Sequence, residues 1–199
     1  MADDSAAKPV AAVTTARASA SGSRTVASAT NASQQVIDGF IVDTGPPQPV
    51  DPRGRYYIEF RSRWLNVYGH TYIVYGRLDD AGKPVDQHFV ALYPQGGFAG
   101  LAAGSLPVAV PGTTLPVWGD SQLSSIATYR QPITAVQYAK ILEFVYETRS
   151  KPISWNLYAQ NCNHFAGELA RHIGLRAPDV GFQLTPNYIK ELENLNRSG

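Results

Sequence analysis

The chain holds one cysteine, set among polar neighbours in Tyr158-Ala159-Gln160-Asn161-Cys162-Asn163-His164-Phe165. From Phe165 onward, apolar residues recur at Ala166, Leu169, Ala170 and Ile173, the spacing of a helix with one buried face. Asn161 is a suitable N-cap, Gly174 and Pro178 mark a stop, and Arg171 and His172 fall where a helix C-terminus favours positive charge. Cys162 is therefore expected at the first helical position. The free N–H groups and the positive dipole end found there favour a thiolate and can hold an oxyanion. Such a cysteine is a nucleophile if a base reaches it. The alternative is a small apolar residue packed in the core, against which the polar flanks Gln160, Asn161 and Asn163 weigh.

The base must come from among 4 histidines. His164 follows Cys162 by two positions, so on a helix its side chain points about 200° away from the sulfur. His172 lies at the far end of the same helix, where a positive charge suits the dipole. His70 and His88 remain. Two β-rich runs, residues 72–78 and 85–93, joined by the turn-forming Asp79-Asp80-Ala81-Gly82-Lys83-Pro84, read as a hairpin, with His70 leading into its first strand and His88 on its second. A turn centred near Ala81 places Leu92 or Tyr93 opposite His70 and Val74 or Tyr75 opposite His88. The two imidazoles then lie ~13 Å apart and do not act together on one thiolate. A slip of one residue would move either ring to the other sheet face, so the residues alone leave the choice of base open.

The run Asn161-Cys162-Asn163-His164-Phe165, preceded in the chain by Gly69-His70-Thr71-Tyr72-Ile73-Val74-Tyr75-Gly76, resembles the circularly permuted papain-like thiol enzymes. That group includes the PPPDE (deSUMOylating) peptidases, the lecithin:retinol acyltransferase-like enzymes and, more distantly, the NlpC/P60 hydrolases. The resemblance covers residues 56–178. It implies a histidine strand placed before the cysteine helix, with Cys162 as nucleophile and His70 as base. In the acyltransferase-like relatives a second histidine stands across from the base. Leu92 or Tyr93 holds that place here, which leaves either a Cys-His dyad or, with a bulge near Pro94, Gln95 as a third group. Trp64 and Tyr68, just before His70, are candidate substrate contacts, although aromatic residues more commonly pack in a core.

Around this pair, the chain reads as an α+β protein: a small antiparallel sheet packed on a cysteine-bearing helix. Residues 1–35 are rich in Ala, Ser and Thr and read as a disordered tail, and Gly45-Pro46-Pro47-Gln48-Pro49 as a stiff linker. The expected domains are 1–50, tail and linker, and 51–199, a thiol hydrolase. Residues 56–60 and 127–130 read as strands, and residues 155–158 as a brief one. Thr134 caps a helix with Tyr138, Ile141, Leu142 and Val145 on one face, and a last helix begins at Thr185. The Gly-, Pro- and Ala-rich stretch 94–118 reads as a long loop, either a lid or a surface excursion.

Composition narrows the function further. Lys+Arg at 17 against Asp+Glu at 16 gives no field suited to nucleic acid. No stretch approaches the ~20 apolar residues of a membrane span, and Met1-Ala2-Asp3-Asp4 offers no signal-peptide start. One cysteine with a histidine two residues on is not a zinc-ligand spacing, so neither metal nor cofactor is expected. The implied partner is a peptide, amide or acyl substrate, hydrolysed through a thioacyl intermediate. The alternatives are a lipid acyltransferase or thioesterase, with the loop carrying Phe98 and Leu106 entering a bilayer, and a catalytically silent binding module on the same scaffold.

Overall fold

Aromatic and β-branched residues crowd residues 56–93, and the sheet forms there. The computed structural model describes residues 33–65, 67–180 and 183–197; the expected disordered tail lies, over residues 1–32, outside the described residues. The strands are β1 (Gln34–Ile37), β2 (Phe40–Asp43), β3 (Tyr56–Arg63), β4 (His70–Arg77), β5 (His88–Ala91), β6 (Tyr93–Pro94), β7 (Val110–Thr113), β8 (Ala127–Ile133) and β9 (Ser154–Trp155). The helices are α1 (Gly97–Gly104), α2 (Trp118–Gln122), α3 (Ala135–Arg149), α4 (Cys162–His172) and α5 (Thr185–Arg197). The protein is thus mixed α+β. A 6-stranded sheet runs in the order β1-β2-β5-β4-β3-β8, and a small 3-stranded sheet in the order β6-β7-β9. Within the larger sheet every pairing is antiparallel except that of β2 with β5, which is parallel.

Strand alternation gives the large sheet two faces. Ile58, Phe60, Ile73, Tyr75, Val90 and Leu92 point to one face, where they meet Ile141 and Val145 of α3, Phe165 and Leu169 of α4, and Tyr188, Ile189 and Leu192 of α5. Each such fully buried side chain contributes roughly 1.5–3 kcal/mol. Tyr57, Tyr72, Val74, Phe89, Ala91 and Tyr93 pack on the other face with Phe40. The β4–β5 register sets His88 opposite Tyr75 and Tyr72 opposite Ala91, as the turn near Ala81 predicts. Thr134 caps α3 by accepting the Gln137 N–H at 3.2 Å, and Gly174 ends α4 in the left-handed region at φ 84.

Three expectations change here. The chain enters the sheet well before residue 51, because β1 and β2 form a hairpin whose Asp38-Gly39 turn has φ of 50 and 83. Asp-Gly between short β-forming runs is a type I′ signal and was legible in the sequence. The stretch 94–118 is not a featureless loop, since it holds α1 and β7. The segment after residue 154 pairs only at Ser154–Trp155, after which Asn156 and Gln160 close a turn that leads into α4. Among the described residues, no helix is long and apolar enough to cross a membrane.

Candidate active site

The cysteine is placed by its own helix. Asn161 caps α4 in extended conformation, its Oδ1 accepting from the N–H groups of Asn163 at 2.9 Å and His164 at 3.2 Å. The His164 ring closes the reciprocal half of the cap by accepting the Asn161 N–H on Nδ1 at 3.4 Å. This cap fixes Cys162 at the first helical position and also occupies two of the amides expected to be free. A second clamp crosses to the sheet, where Thr71 donates its hydroxyl to Asn163 Oδ1 at 2.7 Å. Nearby, Ser62 and Thr185 hydroxyls meet at 2.5 Å. Gly69, at φ 78, lets the strand pass so near Thr185 Oγ1 that a β-carbon there would collide with it.

Cys162 and His70 line one cavity, together with Leu65, Tyr68, Leu92, Tyr93, Leu101, Trp155, Leu157, Asn161, Asn163, Val180 and Gln183. Burial pushes the Cys162 thiol up, outweighing the backbone amides of Thr71, Asn163 and Cys162 itself and the more distant Arg63 guanidinium, all of which favour the anion. Against the expectation of a resting thiolate, dehydration at the half-buried Cys162 works against the helix amides.

His70 is buried, at 2% exposure, rather than an exposed strand end. Burial first, and Arg63 second, hold its imidazole well below the usual histidine range, so it is neutral near pH 7. Its Nε2 is buried and, among the described residues, has no hydrogen-bond partner. The ring stacks on Tyr93, centroids 3.8 Å apart and planes inclined by 24°, and lies parallel to Tyr72 at 6.1 Å. It thus projects from the sheet face opposite α4, while the next residue, Thr71, faces the helix. No hydrogen bond joins the ring to the sulfur, and the two share a cavity where β5 gives way to β6 and the sheet opens. The expected sheet-on-helix packing is present, but Thr71 rather than His70 makes the contact.

Tyr93 is itself held. Its hydroxyl donates to Asp120 Oδ1 and accepts from Arg63 Nη2 at 2.9 Å, while Arg63 Nε donates to the same Asp120 oxygen at 2.7 Å. Asp120 Oδ2 accepts the Val117 N–H at 2.9 Å. Arg63 and Asp120 are each 2% exposed, so this is a buried ion pair with its polar atoms matched. Sequence reasoning missed Arg63, Asp120, Thr71 and Asn163. The nearest signal was the pair of arginines in Arg61-Ser62-Arg63, which share one sheet face; α2 covers Arg63 there, while Arg61 stays partly exposed on Glu59.

The other expected site residues separate. Tyr68 lines the cavity and is 43% exposed, so it stands at the mouth. Trp64 is 56% exposed and does not line it; its carbonyl accepts from Arg63 Nη1 at 3.1 Å. Gln95 is exposed and borders a different cavity with Pro111, Gly112 and Ile153, because its N–H is bound to the Pro111 carbonyl at 2.7 Å. The structure does not bring it to the cavity of Cys162 and His70. His88 is bound through Nδ1 to Asp43 at 2.8 Å, at the distant end of the hairpin. His172 is exposed at the α4 C-terminus beside Phe144. Among the described residues, no group of three or more His, Cys, Asp or Glu is placed to hold a metal ion.

No protein-family model, no curated protein and no solved structure matches the chain.

Proposed function

We propose that this protein is a cysteine hydrolase, a peptidase or amidase, working through a Cys162–His70 dyad on a permuted papain-like scaffold. One observation carries the reading: the chain's thiol and a neutral imidazole with an unpartnered ring nitrogen border the same cavity. The order of histidine strand and cysteine helix supports the likeness to the permuted enzymes. In the reaction, the Cys162 S–H gives its proton to His70 as the sulfur–carbon bond forms on the substrate carbonyl. The leaving group takes that proton and departs, and water, deprotonated by the same imidazole, then cleaves the thioester. Backbone N–H groups of Thr71 and Cys162 favour the sulfur anion as it develops. Since the ring stacks on Tyr93, transfer requires a side-chain rotation at His70 or one bridging water.

The test uses p-nitrophenyl acetate. A nitrophenolate burst with an acetyl group on Cys162 is expected, abolished in Cys162→Ala and slowed ~100-fold or more in His70→Gln. If Cys162 stays unmodified, or acetylates equally fast without His70, the hydrolase reading is wrong. The raised thiol and the unlinked ring favour a second reading, a binding module on the same scaffold, and it predicts that negative result.

A further inference from the structure

The cavity bordering Cys162 has a volume of about 160 Å³, and its wall is mainly Leu65, Leu92, Leu101, Trp155, Leu157 and Val180. Among the described residues, no charged side chain lines it. Most polar side chains on the wall are already engaged: Asn161 with the helix amides and the Leu157 carbonyl, Asn163 with Thr71 and the Gln183 carbonyl, and Thr185 with Ser62. Gln183 donates to Glu191 and keeps only a buried Oε1 without a partner. Tyr68 and Tyr158, 43% and 49% exposed, stand at the mouth. A charged group entering this space would lose its water without gaining a counter-charge, at a cost of several kcal/mol, whereas an apolar group gains contact on every side.

Size sets the second limit. A dry apolar cavity of ~150 Å³ holds one benzene, on the order of 25 Å³ per carbon. The space beside Cys162 therefore suits about six carbons, and a sixteen-carbon lipid chain, needing roughly 400 Å³ on the same scale, does not fit.

We propose that this cavity binds the acyl-side group of the substrate, and that this group is compact and apolar, of at most about seven carbons. A leucine or phenylalanine side chain and a hexanoyl chain share that chemistry. The inference deepens the hydrolase reading and rests on it for acylation, but not for binding.

The experiment therefore has two arms. In the first, the full chain is acylated by p-nitrophenyl esters of acetate, hexanoate, dodecanoate, N-acetylglycine, N-acetylleucine and N-acetylphenylalanine, each rate divided by its spontaneous hydrolysis. N-acetylleucine or N-acetylphenylalanine over N-acetylglycine, or hexanoate over acetate, is expected to be favoured at least ~50-fold. The amino-acid series separates a peptide source from a simple acyl source by which ratio is larger. Leu101→Trp and Leu157→Trp, at two partly buried wall positions, are expected to collapse the ratio. A flat series, or one still rising at dodecanoate, overturns the proposal; His70-dependent acetylation alongside it leaves the hydrolase reading standing. In the second arm, Cys162→Ala is titrated with N-acetylleucinamide and N-acetylglycinamide by NMR. Selective shifts in Leu101 and Leu157 with the leucine ligand support the cavity assignment even if no ester labels the thiol, and equal or absent shifts overturn it.

Discussion

The β4–β5 hairpin carries a histidine towards each end, and the two are treated in opposite ways. His88 binds Asp43 through Nδ1, and Asp43 also accepts from Tyr75 and Gln34, so the cluster ties β1 and β2 to the sheet. Burial raises the Asp43 carboxyl, but His88, Tyr75 and Gln34 together bring it below its usual value. His70 is just as buried but has no such partner on Nε2, and the cation nearest it repels its proton. A buried polar atom without a partner costs about 1–3 kcal/mol, which the His88 end recovers and the His70 end does not. The carboxylate thus holds the His88 ring to β2, whereas the His70 ring has no such anchor on Nε2. The cavity around His88, although about 800 Å³ in volume, has no thiol on its wall.

Exchanging the two roles is the strongest way to break that contrast. His70→Gln is expected to slow Cys162 acylation ~100-fold or more while leaving stability unchanged or higher, and His88→Gln to cost about 1–3 kcal/mol in urea unfolding while acylation proceeds as before. Equal losses of both properties in both variants would erase the distinction. Next in size is Arg63→Met, which strands the Asp120 carboxylate and is expected to cost about 3–5 kcal/mol by chemical denaturation, part of it recovered by adding Asp120→Asn. No cost would mean that the ion pair does not hold Tyr93 beneath the imidazole.

The pH dependence sharpens the same comparison more gently. Because folding depresses the His70 pKa, its contribution is present above the unfolded value near 6.5 and is lost as pH falls below it. His164 is depressed too, by burial and then Arg171, and acts in the same direction. The difference between wild type and His70→Gln therefore isolates one proton, with a slope of up to about 1.4 kcal/mol per pH unit between pH 6.5 and 5. A flat difference would mean that the ring is solvated. For Cys162 the sign reverses: the raised thiol favours the fold below about pH 8.5 and loses that contribution above it, a loss absent in Cys162→Ala. The smallest expected effect is that of Asn161→Ala, about 1 kcal/mol from the missing cap, measured as a lower denaturation midpoint.

What local chemistry governs was readable in the residues. Asn161 before Cys162, Gly174 after His172, and Thr134 before a stripe of apolar residues specify their helices, because caps and periodicity act within a turn or two of chain. The turn near Ala81 likewise fixed His88 opposite Tyr75. The site was legible only in outline, as a helix-tip thiol and a histidine at the start of a strand. Which way that histidine faces was decided by the phase of β4, locked when Thr71 bonds to Asn163 on a helix some ninety residues away in the chain. Gln95 left the site when its backbone paired with Pro111, and Arg63 acquired its role only when α2 brought Asp120 beneath it. The state of the thiol also depends on distant parts of the chain, since burial sums over every segment that excludes water, whereas a helix terminus contributes only its own few amides.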